Sequence, residues 1–168
     1  MNRALFYAVV MTVFTAIAAT AQALPAPAGP VILTVSGDID VTNVDDTAQF
    51  DLAMLNAMDS TTFSTSTIWT KGTRSFKGVP LNVLVESLGI EGETLRATAV
   101  NDYAIDIPIS DAVQNGPILA YEMDGRTMTL RDKGPLWLVY PYDLNANYRT
   151  EVIYSRSIWQ LDRITALK

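Results

Sequence analysis

The chain has 168 residues, 12 of them basic and 18 acidic, a formal net charge of −6, and neither cysteine nor histidine. So acidic a balance lacks the Lys and Arg footprint that neutralises phosphates, which argues against DNA or RNA as a partner. Without thiols or imidazoles there can be no disulfide, no thiolate-held metal and no Ser-His-Asp triad, and few zinc or copper sites remain open.

Asn2 and Arg3 open the chain, residues 4–19 form an apolar run, and Ala21-Gln22-Ala23 offers a small-x-small cleavage site. That layout predicts a cleavable secretory signal peptide over residues 1–23. The apolar run is shorter than the ~20 residues that span a bilayer, so cleavage is favoured over a retained anchor. Residues 24–168 then read as a single exported domain, expected in the periplasm.

Residues 31–36 (VILTVS) predict a first strand ending at Gly37. Asp45-Asp46-Thr47 predict the cap of a helix through Met58, with Phe50, Leu52, Met54, Leu55 and Met58 on its apolar face. A strand is expected over residues 62–69 (TFSTSTIW), a loop over 72–78, and a helix from Pro80 to Leu88 closed by Gly89. Residues 94–100 and 103–107 read as strands joined by a tight Asn101-Asp102 turn, followed by one or two helical turns over 108–114. A hairpin through Asp124-Gly125 links strands over 118–123 and 127–130; residues 136–142 (LWLVYPY) form a buried strand. A helix over 145–155 and a last strand over 157–165 complete the order. Helices and strands mix without regular βαβ alternation, which predicts an α+β domain of mixed sheets with flanking short helices.

Five blocks carry more than secondary structure: WTKGTRSFKGVPLNVLVESLG, AVNDYAIDIPISDA, ILAYEMDGRTM, KGPLWLVYPYD and SRSIWQLDRI. In this order they resemble the sulfite-oxidase-type molybdopterin-binding domain, over most of residues 31–164. The resemblance implies that fold. In the family a cysteine near the first block donates its thiolate to molybdenum, whereas this chain runs straight from Trp69 into Thr70-Lys71-Gly72 with no sulfur donor. Few basic residues remain to hold a pterin phosphate: Lys71, Arg74, Arg149 and Arg156. The chain is most similar to short, exported, cysteine-free members of the fold. These include periplasmic proteins that bind a reduced pterin without metal and report it to the periplasmic domain of a membrane enzyme making and degrading cyclic di-GMP.

That similarity implies a non-catalytic pterin-binding regulator, with a membrane diguanylate cyclase/phosphodiesterase as partner and biofilm control as the output. The alternatives are a molybdopterin-dependent oxidoreductase or its accessory subunit, and a structural interaction module that binds no ligand. A pterin is flat and polar-edged, so its site needs aromatic faces for stacking and a few placed polar groups. The candidates are Trp69, Asp102, Tyr103, Tyr142, Tyr148, Ser155 and Arg156, with no catalytic or metal-ligating residue among them. Trp69 reads either as a stacking face or as a lid on the core, and Asp102 either as a ligand contact or as a turn residue. Tyr103 competes with core packing beside Ile105 and Ile107, while Trp137 and Trp159 read as core. Arg156, a basic residue between two serines beside an apolar strand, has the weakest structural reason to be where it is.

Overall fold

A computed structural model of the protein describes residues 24–168; the signal peptide expected over residues 1–23 lies outside them. Strand β1 (Val31–Gly37) buries Leu33 and Val35 on one face, as its alternation requires. Antiparallel to it runs β2 (Ala48–Asp51), where a helix was expected. Ala48 and Phe50 point into the core with strand period, and the pairing with β1 overrides the local helical reading. The helix cap is Asp51, not the earlier aspartates. Its carboxylate accepts the Met54 amide at 2.8 Å and opens α1 (Leu52–Ala57). The other oxygen accepts the amides of Ala28 and Gly29, tying the start of the domain to the sheet. These backbone donors, Met54 foremost, hold the Asp51 carboxyl below the usual carboxylate range.

Strands β3 (Thr61–Ser66) and β4 (Thr73–Pro80) form an antiparallel hairpin, so the loop expected over 72–78 is largely strand. Gly78 serves close approach rather than a turn. A Cβ there would lie 2.1 Å from the Leu119 carbonyl oxygen. Helix α2 (Leu81–Leu88) follows Pro80 as expected, buries Leu81, Leu84 and Leu88, and ends on Gly89 at φ 63°. Strands β5 (Thr94–Ala99) and β6 (Ala104–Pro108) flank the expected turn, with Asp102 at φ 65°. A 3₁₀ turn (Ile109–Asp111) leads to β7 (Ile118–Met123).

The hairpin after β7 is shorter than expected: β8 is only Arg126–Thr127, and Leu130–Asp132 is a 3₁₀ turn. Strand β9 (Leu136–Val139) is wholly buried. The single helix expected over 145–155 is two pieces: a 3₁₀ turn (Ala146–Tyr148), then α3 (Glu151–Arg156), capped by the Thr150 hydroxyl. Strand β10 (Trp159–Leu167) closes the order.

The strands join in one mixed sheet, β2-β1-β10-β9-β7-β4-β3, with β5 and β6 branching from β10 and β8 from β7. Among the described residues only the β1–β10 pair is parallel. β10 is the spine, bonded to β1, β5 and β9. The α+β architecture of mixed strands and a few short helices is the one the sequence predicts.

Candidate functional site

The spine is irregular where it begins, and a cavity of about 330 Å³ opens there. Gln160 takes φ 52°, and the pairing of β10 with β9 shifts register between Trp159 and Leu161. This bulge turns Trp159 outward, leaving it 36% exposed instead of sharing the core face with Leu161. The neighbouring turn holds the bulge from outside. The Gln160 amide donates to the Lys133 carbonyl at 2.9 Å, and its side chain donates to the Leu130 carbonyl at 2.7 Å.

Trp69, carried by the β3–β4 connection, stands at the centre of the aromatic wall. Its ring meets Trp159 at 5.5 Å, Tyr154 at 5.7 Å, Trp137 at 5.8 Å and Tyr142 at 6.3 Å, every contact edge-on. Such pairs contribute roughly 0.5–1.5 kcal/mol each beyond the area they bury. A Thr67 hydroxyl that accepts the amides of Trp69 and Thr70 fixes the loop behind it. The Lys133 ammonium lies 4.1 Å from the Trp159 ring centroid and 5.3 Å from that of Trp137. A cation held over an indole face restrains the ring, and burial pushes the Lys133 pKa down.

The remaining walls are polar but uncharged. Asn101 and Tyr103 come from the β5–β6 turn, Tyr154 and Ser155 from α3, and Ser157 and Ile158 from the link into β10. The Asn101 side-chain oxygen accepts the Tyr103 amide at 3.2 Å, which leaves its NH₂ available. Gln160 spends its NH₂ on Leu130, which leaves its carbonyl oxygen. Ser155 donates to the Val152 carbonyl and keeps its lone pairs.

Of the seven candidates, Trp69, Tyr103 and Ser155 line this cavity together. Tyr103 is 53% exposed at the rim, outside the core face of Ile107. Tyr142 lies buried behind Trp69. Its hydroxyl donates to Ser157 Oγ at 2.6 Å, Ser157 donates on to the Ile153 carbonyl, and burial pushes the phenol pKa up. Asp102 fills the turn role: its amide donates to Ala99, and its exposed carboxylate accepts Arg163 at 2.8 Å.

Tyr148 and Arg156 belong to a second cluster. There Asp111 accepts Arg156 Nη1 at 3.0 Å and the Tyr140 hydroxyl at 2.7 Å, with the Tyr148 ring 5.5 Å from Tyr140. Arg156 therefore has a structural partner 45 positions away that no local pattern exposes. Sequence reasoning passed over Tyr154, Asn101 and Gln160. Tyr154 stands next to a chosen residue, but the bulge that brings in Gln160 leaves no mark in composition.

A molybdenum held through a protein sulfur does not fit this donor set. The chain has no cysteine or histidine, and among the described residues no group of three or more acidic side chains gathers as a metal site. Among the described residues every arginine except Arg126 and Arg131 is committed as well. Arg74 bonds Asp124, Arg149 bonds Asp143, Arg156 bonds Asp111, and Arg163 bonds Asp102 and Asp162.

Fold and cavity together define a small mixed-sheet domain with an aromatic-walled cavity and no thiolate donor. Residues 33–148 match the family described as the oxidoreductase molybdopterin binding domain, and the chain belongs to that family. Among solved structures it is similar to the sulfane dehydrogenase SoxCD from Paracoccus pantotrophus, with a TM-score of 0.59 and 19% identity, over 80% of this chain. The match takes in 37% of that chain, so this protein spans little more than a third of its length; the similarity is one of fold. No curated protein matches the chain.

Proposed function

We propose that the protein binds a reduced pterin, without molybdenum and without catalysing a reaction, in the cavity between Trp69, Tyr103, Tyr154 and Trp159. The observation that carries this reading is the cavity's make-up: indole and phenol walls, with the Asn101 NH₂ and the Gln160 carbonyl oxygen left over at the edge. A 2-amino-4-oxo pyrimidine edge offers the complementary donors and acceptors, and a flat bicycle fills the space between rings. Membership of a molybdopterin-binding family supports a pterin over other flat heterocycles. The absent thiol argues against the metal chemistry of its relatives.

On this reading the protein is a periplasmic sensor, exported by its cleaved leader. Its pterin-bound form is recognised by the periplasmic domain of a membrane enzyme that makes and degrades cyclic di-GMP. Recognition then requires that the partner bind the loaded form more tightly than the empty one.

The test is calorimetry with a reduced pterin such as tetrahydrobiopterin, alongside elemental analysis for molybdenum. The expected result is one site per chain, no molybdenum, and at least tenfold weaker binding by Trp69→Ala at an unchanged circular-dichroism spectrum. Stoichiometric molybdenum, or no binding of any reduced pterin, would overturn the reading.

A further inference from the structure

The cavity lining contains no Asp, Glu, Lys or Arg. We infer that the site takes an uncharged, unesterified heterocycle and rejects its phosphate esters, molybdopterin included; this rests on the pterin reading above.

An anion moved out of water into a partly enclosed site needs a counter-charge or several N–H donors. The lining offers no counter-charge, and its free amide donors come down to the Asn101 NH₂. The arginines flanking the lining segments, Arg74, Arg96, Arg149, Arg156 and Arg163, are each held by carboxylates at 2.8–3.0 Å, and Lys71, two residues from Trp69, is exposed and not part of the lining. Releasing Arg156 would leave the mostly buried Asp111 carboxylate without its cation. Lys133 has no carboxylate partner among the described residues, yet it lies over Trp159 and is not part of the lining. The helix that contributes to the wall, α3, does so through Tyr154 and Ser155 in its last turn, where carbonyls rather than amides are left over. Carbonyl oxygens repel a phosphate. The chain as a whole, at −6, adds a field of the same sign.

The same groups suit a neutral ligand. Hydroxyls on a short side chain find Ser155 and the Tyr103 rim, and the heterocycle edge finds the two amides.

The experiment compares a neutral reduced pterin with its side-chain monophosphate by calorimetry at low and at moderate salt, on the wild type and on Ser155→Lys. Expected is at least tenfold weaker binding of the ester, equivalent to about 1.4 kcal/mol, with the gap narrowing in Ser155→Lys, which places a cation in the wall. Equal or tighter binding of the ester by the wild type overturns the charge inference and leaves the pterin reading standing. A gap unchanged in Ser155→Lys also overturns it, because exclusion would then be steric. Failure of both ligands to bind removes both readings.

Discussion

Replacing Asp111 by alanine tests how the fold holds α3 against the sheet. The carboxylate is the acceptor for two groups at once, Arg156 Nη1 and the Tyr140 hydroxyl, with side-chain exposures of 14% for Asp111 and 23% for Arg156. Tyr140 is fully buried, so its hydroxyl would find no replacement in water, at a cost of about 1–3 kcal/mol. Arg156 retains enough exposure to turn toward solvent, so its loss adds only about 1 kcal/mol. Together Asp111→Ala should destabilise by about 2–4 kcal/mol in urea unfolding followed by tryptophan fluorescence. Tyr140→Phe alone removes one bond and leaves the ion pair, for about 1–2 kcal/mol. In the double variant the orphaned hydroxyl no longer exists, so the two costs should fall short of additive by about 1 kcal/mol or more. Asp111→Asn, which keeps an acceptor oxygen, should retain part of the loss. If Asp111→Ala costs less than about 0.5 kcal/mol, or the cycle is additive, the shared-acceptor account of this cluster is wrong.

Two tyrosine-to-phenylalanine changes should act in opposite directions. The buried Tyr121 hydroxyl has no partner among the described residues, so Tyr121→Phe should be neutral or stabilise by up to about 1 kcal/mol; Tyr142→Phe breaks the bond to Ser157 and should destabilise by about 1 kcal/mol, both read in urea melts. Gly78→Ala drives a methyl into the Leu119 carbonyl on a neighbouring backbone and should cost about 3 kcal/mol or more, visible as loss of soluble protein or a collapsed melting temperature. The folded-state pKa of Asp51 lies below its unfolded value. Its contribution is therefore complete above about pH 4 and is lost as pH falls through the folded pKa. In Asp51→Asn the decline of unfolding free energy below pH 4 should be shallower than in the wild type, and an identical decline would show that this carboxylate is not a linkage site.

What the sequence disclosed was the local part of the design. Helix α2 was legible because Leu81, Leu84 and Leu88 fall on one face and Gly89 supplies a left-handed cap. The β5–β6 turn was legible because Asn101-Asp102 tolerates positive φ. Residues 48–51 deceived, since their apolar spacing suits a helix as well as a strand and the choice is made by β1, a partner outside any local window. β4 was hidden by Gly72, Gly78 and its charged residues, though two neighbouring strands impose extended backbone on it. In the site, Trp69, Tyr103 and Ser155 could be picked out by chemistry alone. Arg156 was misjudged because its acceptor lies 45 residues away, and Trp159 because a bulge interrupts the alternation that would have buried it.

The position of β10 has a bearing on how the molecule matures. Ser36 and Thr165, whose hydroxyls meet across the β1–β10 pair, are separated by 129 positions, so the two halves of the sheet remain unjoined until nearly the whole chain is available. Pairings over such separations form slowly, since a long loop must close before any contact rewards it. The strand that completes the sheet also brings Trp159 and Gln160 to the cavity. A truncated form lacking residues 159–167 would therefore lack Trp159 and Gln160, and with them one wall of the cavity.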